Sequence, residues 1–137
     1  MADSIKLEIV TPDKAVVNED VNIVMAPGSL GEFGVLIGHT PFLTTLKTGI
    51  IRYTDAQGTD QYVFVSGGFV EVLPDKVTVL AESAEKTEEI DLDRAKAAQE
   101  RAEKRLEEAR TKEDIDADRA KAALERAVVR INLAGAR

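Results

Sequence analysis

The chain has 137 residues, of which 44% are hydrophobic and only 4% aromatic, and its net charge is −7. This length accommodates one large domain or one domain with an appendage, with a core built from Val, Ile and Leu. The lack of cysteine excludes a disulfide framework and thiolate metal sites, and no stretch approaches the roughly 18–20 apolar residues of a membrane span.

Residues 5–81 carry the pattern of a β domain. Apolar residues at positions 5, 7 and 9 alternate along the first segment, which is the period of a strand. Six short apolar runs follow: VNIVMA, GVLI, GIIRY, QYVFVS, FVEVL and KVTVLA. Turn signals separate them at Pro27-Gly28, Gly38, 55–58, Gly67-Gly68 and Pro74-Asp75. This spacing predicts a sandwich or barrel, with core positions that include Val24, Val63, Val65, Val70, Val77 and Val79.

The character of the chain changes near Glu82. Residues 82–89 are polar and acidic, and they predict a linker that enters a helix. Residues 90–109 and 115–134 then form an internal repeat with 13 of 20 positions identical. Both copies are rich in strong helix formers, and Asp91 and Asp116 stand where helix N-caps are expected. The five residues between the copies predict a tight connection and two antiparallel helices.

The expected interface between the two helices is thin. Its apolar stripes consist mostly of alanine: Ala95, Ala98, Ala102, Leu106 and Ala109 on the first helix, and Ala120, Ala123, Ala127, Ile131 and Ala134 on the second. A buried methyl group contributes roughly 0.8 kcal/mol, against about 1.5–3 kcal/mol for a buried Leu. The hairpin is therefore either a movable element or an appendage packed permanently on the β domain.

The residues do not assemble a convincing active site. The only histidine, His39, precedes Thr40-Pro41 and fits a hydrogen-bonded turn better than a catalyst. The glycines of residues 28–38 match neither a phosphate-binding loop nor a dinucleotide fingerprint. No catalytic residue and no metal site are predicted.

Charge is distributed unevenly along the chain. Residues 1–85 hold 5 basic and 12 acidic side chains, which argues against a nucleic-acid surface there. From Arg119 onward there are five basic residues and one acidic residue, a composition that suits an acidic protein surface or a phosphate group. A solvated helix whose basic end complements its own dipole explains the same composition.

Arginines recur at the same offsets in both copies of the repeat. Arg94 and Arg101 share a face of the first helix, and Arg126 and Arg130 share a face of the second. Four guanidinium groups could meet one anion in the closed hairpin. Ion pairs such as Glu100–Lys104 and Glu103–Arg110 are the alternative use of these charges.

Several segments together resemble one family, the epsilon subunit of bacterial F-type ATP synthase (delta in mitochondrial naming). These segments are 7–12 (LEIVTP), 31–34 (GEFG), 38–43 (GHTPFL), 66–72 (SGGFVEV) and 77–81 (VTVLA), and the two-helix tail completes the layout. Ile37 departs from the family, which often has proline before Gly-His.

The resemblance implies an α+β protein with an N-terminal ten-stranded β-sandwich over residues 1–84 and a C-terminal antiparallel two-helix hairpin over residues 85–137. It implies a non-catalytic rotor subunit of the central stalk, which couples ion flow to ATP synthesis and inhibits ATP hydrolysis through a mobile tail. Its partners would be the gamma subunit, the ring of c subunits, and the catalytic beta subunits when the tail is extended. It would act at the cytoplasmic face of the bacterial inner membrane as a peripheral subunit that binds no nucleic acid.

The resemblance also implies two sets of site residues. In some bacterial members the compact hairpin binds ATP through an I/L-D-x-x-R-A motif, which residues 90–95 match in full. No cofactor is required, and ATP would be a regulatory ligand. The implied ATP-binding residues are Glu85, Ile90, Asp91, Arg94, Ala95, Arg101, Arg126 and Arg130. The implied rotor contact with gamma and the c ring comprises Glu32, Gly38, His39, Thr40, Pro41 and Phe42.

The second copy of the repeat also fits the motif, over residues 115–120. Position relative to the β domain selects the first copy, so Arg119 is expected to lie outside the pocket. Two other functions stay open: a stand-alone ATP-sensing module, and a generic β-sandwich adaptor.

Overall fold

The computed structural model describes residues 4–136, which form seven strands, one short 3-10 helix and two α-helices. The strands are β1 (Ile5–Val10), β2 (Ala15–Gly28), β3 (Gly31–Leu36), β4 (Phe42–Leu46), β5 (Gly49–Asp55), β6 (Asp60–Leu73) and β7 (Lys76–Lys86). The 3-10 turn is Thr87–Glu89, and the helices are α1 (Leu92–Glu108) and α2 (Ala117–Gly135). The chain divides into two compact units, Met1–Lys86 and Thr87–Arg137.

Three long strands pass between the two layers of the first unit. The first half of β2 pairs with β1, whereas its second half pairs with β3 and β5. The strand β6 pairs with β5 before its Gly67-Gly68 bend and with β4 after it, and β7 follows β6 along both halves. Four strands (β1, β3, β4 and β5) therefore each provide one segment of the sandwich. The three long strands (β2, β6 and β7) each provide two segments. The predicted sandwich is confirmed, but the ten predicted strands correspond to seven continuous ones.

The core of the sandwich is aliphatic, as the composition requires. Ile5, Leu7 and Ile9 of β1 are fully buried, and all six predicted core valines are also fully buried. The period of two along each strand sends these side chains to the inner face. The parallel pair of β1 and β7, with Leu7 opposite Val77, joins the N-terminus of the unit to its last strand.

The predicted linker over residues 82–89 is wrong in its first part. Residues 82–86 continue β7, where Glu85 pairs with Phe64 and Lys86 pairs with Val63. Backbone hydrogen bonds extend a ladder whatever the polarity of the side chains, so an available neighbour in β6 overrides the acidic composition. The unit ends at Lys86, whereas the expected sandwich ended at residue 84.

The helical unit forms as a hairpin. The helices are joined by residues 109–116, where Arg110 N–H donates to the carbonyl of Glu107 and Thr111 N–H donates to that of Glu108. A parallel arrangement would force this turn to run back about 25 Å, the length of α1. The helices are therefore antiparallel neighbours, and Ala102 and Ala127 of the alanine stripes are buried.

Candidate functional site: the arginine cleft of the helical hairpin

Both helices begin with the same local structure. The Asp91 carboxylate accepts a hydrogen bond from the backbone N–H of Arg94 at 3.1 Å, and Asp116 accepts one from Arg119 at 3.0 Å. These bonds satisfy amides that a helix start leaves without an intrahelical partner. The two predicted N-caps are thus confirmed.

The apolar members of the repeated motif also serve the helix start. Ile90 and Ala95 occupy the two positions of a hydrophobic staple around the Asp91 cap, and both are buried. In the second copy, Ala120 is buried and Ile115 is half-buried. The isoleucine, aspartate and alanine of the motif are therefore explained by the helix start. The helix start does not require the arginine side chain.

A cleft of about 590 Å³ opens along the hairpin, between α1 and α2. Small alanine side chains form its floor, because the thin stripes leave space that leucines would fill. Five arginines and two aspartates form most of its walls. The complete lining is Ala98, Arg101, Ala102, Arg105, Asp114, Asp116, Arg119, Ala120, Ala123, Arg126 and Arg130.

Most of these guanidinium groups lack a counter-charge. In the described part of the chain, the side chains of Arg101, Arg105, Arg119 and Arg126 make no ion pair within 4.0 Å. The predicted pairs Glu100–Lys104 and Glu103–Arg110 are likewise absent from residues 4–136. Like charges that converge on a groove and stay unpaired create a positive potential that suits an anion.

The cleft brings together part of the predicted ATP set. Arg101, Arg126 and Arg130 line it, and Arg126 and Arg130 are half-buried. Four predicted residues, Ile90, Asp91, Arg94 and Ala95, lie at the start of α1 and do not line it. Glu85 lies in β7, within the first unit, and is half-buried.

Two arginines that line the cleft, Arg105 and Arg119, are not among the predicted ATP-binding residues. The expectation that Arg119 lies outside the ATP pocket stays a prediction, because the cleft is not itself that pocket. The signal for both lay in the repeat. Arg105 and Arg119 are the repeat equivalents of Arg130 and Arg94, which had been assigned to the site.

The predicted rotor-contact residues lie together around the β3–β4 connection. The loop is held by the Gly38 N–H, which donates to the carbonyl of Pro74 at 2.7 Å, and by the His39 N–H, which donates to that of Leu36 at 3.1 Å. His39 Nδ1 donates to the carbonyl of Thr40 at 2.7 Å, a contact that requires a proton on Nδ1. The exposed Pro41 leads into β4.

An apolar surface adjoins this loop. The Phe42 ring packs edge-on against Phe33, with ring centroids 5.0 Å apart. Leu30 is 100% exposed and Leu43 is 68% exposed, beside a shallow depression of about 400 Å³ that Glu32 also lines. Exposed leucines of this kind are typical of a surface that another protein covers. No helix within residues 4–136 is both long and apolar enough to cross a membrane.

Two family matches cover nearly the whole chain. Residues 4–87 match the ATP synthase delta/epsilon chain, beta-sandwich domain, and residues 88–135 match the ATP synthase delta/epsilon chain, long alpha-helix domain. The chain is similar to the ATP synthase epsilon chain of Desulfosudis oleivorans, with 63% identity over 78% of this chain and 80% of the relative. It is also similar to the ATP synthase epsilon chain of Syntrophobacter fumaroxidans, with 60% identity over 79% of this chain and 80% of the relative.

The fold matches solved structures as well. A chain in the Euglena gracilis mitochondrial ATP synthase OSCP/F1/c-ring structure aligns with a TM-score of 0.83 and 25% identity, over 100% of this chain and 84% of that one. A chain of the Tetrahymena thermophila mitochondrial ATP synthase central stalk and c-ring shares the fold, with a TM-score of 0.58 and 15% identity over 96% of this chain and 94% of that one. The protein belongs to the ATP synthase delta/epsilon family.

Proposed function

We propose that this member of the ATP synthase delta/epsilon family is the epsilon subunit of a bacterial F-type ATP synthase, a non-catalytic part of the central stalk. It transmits rotation between the ion-driven c ring and the catalytic head, and it associates with the membrane only through the complex. The observation that carries the proposal is the order of the two units, because both family domains occur in sequence over residues 4–135.

The sandwich unit supplies the permanent contact with the other subunits of the rotor. Its candidate surface is the exposed region around Glu32, Leu30 and Leu43, together with the ordered loop from Gly38 to Phe42. Burying two exposed leucines contributes about 3–6 kcal/mol before the costs of association. Gamma and the c-subunit ring are the partners proposed for this surface.

The hairpin unit regulates hydrolysis. Its interface is mostly alanine, so opening it exposes little apolar surface and costs correspondingly little free energy. An opened tail can reach the catalytic beta subunits and inhibit hydrolysis, whereas a closed hairpin leaves them free. The basic residues of α2 would meet acidic surface there, and several must act together because exposed ion pairs contribute only ~0–1 kcal/mol each.

ATP is the proposed ligand of the closed hairpin. Support comes from the three arginines of the predicted set that line one cleft, since guanidinium groups bind phosphate bidentately. A ligand that contacts both helices binds only the closed state and shifts the population toward it.

The ATP proposal can be tested by calorimetric titration of the isolated full-length chain. Arg126→Ala should weaken ATP binding by about tenfold or more, because one charge-assisted contact is lost. Lys121→Ala is the matched control, since Lys121 is a cation on the same helix that does not line the cleft. Equal effects of the two substitutions would indicate a general charge effect rather than a phosphate contact.

The stalk proposal is tested separately by purification of the assembled enzyme. Epsilon should copurify with gamma and the catalytic subunits, and removal of residues 87–137 should preserve assembly while raising ATP hydrolysis. A stand-alone ATP sensor would bind ATP without copurifying with these subunits. A generic sandwich adaptor would neither bind ATP nor copurify with these subunits.

A further inference from the structure

The repeat gives the hairpin an approximate two-fold symmetry. Two antiparallel helices of nearly equal sequence are exchanged by an axis perpendicular to them, and each residue of α1 corresponds to the residue 25 positions later in α2. Arg101 and Arg126 are one such pair, and both line the cleft. The pairs Ala98/Ala123 and Arg105/Arg130 line it as well.

The cleft breaks this symmetry at its two ends. Toward the turn between the helices, Asp116 and Arg119 of the second motif copy line it. Their equivalents at the opposite end, Asp91 and Arg94, do not. The described cleft therefore contains the full arginine set that the second motif copy supplies, and only part of the set that the first copy supplies.

We propose that the turn end of the cleft is a second polyphosphate subsite, in which Arg105 and Arg119 act beside the shared Arg101 and Arg126. All four side chains are without an ion pair in the described residues, so an incoming anion displaces no internal partner. Arg105 and Arg119 belong to different helices, so a ligand that meets both also holds the hairpin closed.

The chemistry of this end favours a chain of phosphates over a single carboxylate. Four guanidinium groups offer several bidentate sites, whereas one carboxylate can occupy only one or two. Arg119 and Arg126 are seven residues apart on α2, about 10 Å along its axis, so the arginines of the subsite are spread along the groove. Asp114 and Asp116 lower the positive charge of this end, but the four arginines outnumber these two carboxylates.

The test is a calorimetric titration of the full chain with inorganic tripolyphosphate at low ionic strength, in parallel with ATP. Arg119→Ala and Lys121→Ala are a matched pair, because both cations are exposed and lie two residues apart on α2, but only Arg119 lines the cleft. Tripolyphosphate binding should weaken by about tenfold or more in Arg119→Ala and in Arg105→Ala. In Lys121→Ala it should stay within about twofold of the unsubstituted chain.

The outcomes separate this subsite from the nucleotide function proposed above. Binding of tripolyphosphate that depends on Arg119, without binding of ATP, supports the subsite and overturns the nucleotide proposal. Binding of ATP that depends on Arg126, with tripolyphosphate binding unaffected by Arg119→Ala, overturns the subsite alone. The subsite is also overturned if tripolyphosphate does not bind or if the matched variants weaken it equally. Unchanged helical circular dichroism and unchanged amide spectra of residues 87–136 outside the substituted position show that the hairpin of each variant has folded.

Discussion

Asp55 organises the hairpin between β5 and β6 from a buried position. Its Oδ1 accepts the backbone N–H groups of Thr59 at 2.9 Å and Gln57 at 3.0 Å, and its Oδ2 accepts the side-chain amide of Gln61 at 3.2 Å. The hydrogen bond from Thr59 is the largest cause of a lowered pKa at Asp55, and burial opposes it in part. The folded state therefore favours the ionised carboxylate more than the unfolded chain does.

This shift makes the stability of the sandwich depend on pH in a definite direction. The contribution of Asp55 is present above its unfolded pKa, about 3.9, and is lost as the pH falls through the lower folded pKa. Asp55→Asn should therefore lower the free energy of unfolding at neutral pH, and the difference from the unsubstituted chain should shrink below about pH 4. Urea titrations at neutral pH and below about pH 4 measure this difference in the free energy of unfolding. A difference independent of pH would show that geometry rather than charge stabilises this turn.

Gly68 is required by the bend of β6. Its φ is +120°, and an added Cβ would collide with the Leu80 carbonyl and lie 2.9 Å from Ala81 Cα. Gly68→Ala should destabilise the sandwich by roughly 3 kcal/mol or more, since strain and overlap add. Gly58→Ala is the control, because Gly58 has a φ of +81° but open space around it. It should cost only about 1–2 kcal/mol in thermal or urea unfolding, and equal losses would contradict the steric argument.

At the scale of elements, the motif that identified the hairpin has a structural explanation for three of its four defined positions. Ile90, Asp91 and Ala95 begin the helix, and the same residue types begin α2. A match to I-D-x-x-R-A therefore predicts a helix start firmly, whereas its prediction of a ligand depends on the arginine alone. Because both copies begin a helix in the same way, the motif alone does not distinguish the first copy from the second.

The capping aspartates permit a test of whether the hairpin unfolds independently of the sandwich. Asp91→Ala and Asp116→Ala should each destabilise the hairpin by about 0.5–2 kcal/mol, because each leaves a helix amide without its acceptor. Amide hydrogen exchange should report faster opening in the hairpin with no change in the sandwich strands. Faster exchange in both units would show that the hairpin and the sandwich unfold together.

The sequence predicted the strands best where polar and apolar residues alternate. It predicted them least well where backbone pairing with a distant strand, rather than the side-chain pattern, forms the strand. The alternating segment from Ile5 to Val10 forms β1 as expected. The segment FLTTL at residues 42–46 was not predicted as a strand, because two threonines weaken its apolar run, yet it pairs with β6. Gly67-Gly68 was predicted as a turn between two strands and is a bend within one. Pairing partners distant in sequence supply what the local pattern lacks.

For the molecule as a whole, the end of β7 sets how much of the chain the sandwich needs. Glu85 and Lys86 pair with Phe64 and Val63, so a fragment ending at residue 84 loses the last rungs of the ladder. A fragment of residues 1–86 should unfold cooperatively and more stably than one of residues 1–84, in urea titrations followed by circular dichroism. Equal stability of the two fragments would show that the folded sandwich needs no residue beyond 84.

The candidate site was predictable only in part, for a reason that also belongs to the whole molecule. The family resemblance named Arg101, Arg126 and Arg130, and the cleft contains all three. Which end of a symmetric hairpin opens into a groove depends on side-chain packing between helices, and a repeated sequence does not encode that difference locally. The sequence therefore did not indicate that Arg105 and Arg119 line this cleft.

The same arginines have opposite consequences for hydrolysis, depending on the state of the hairpin in which they act. If they hold phosphate in the closed hairpin, Arg126→Ala favours the extended tail and should lower ATP hydrolysis by the assembled enzyme. At free ATP about 100 times the dissociation constant, ATP stabilises the closed state by about 2.7 kcal/mol, and tenfold weaker binding removes about 1.3 kcal/mol of this stabilisation. Removal of residues 87–137 should raise hydrolysis in the same assay, because no tail remains to inhibit. If Arg126→Ala also raises hydrolysis, the guanidinium acts in the inhibited complex as a contact with the catalytic subunits, and ligand-controlled closure through this residue is wrong.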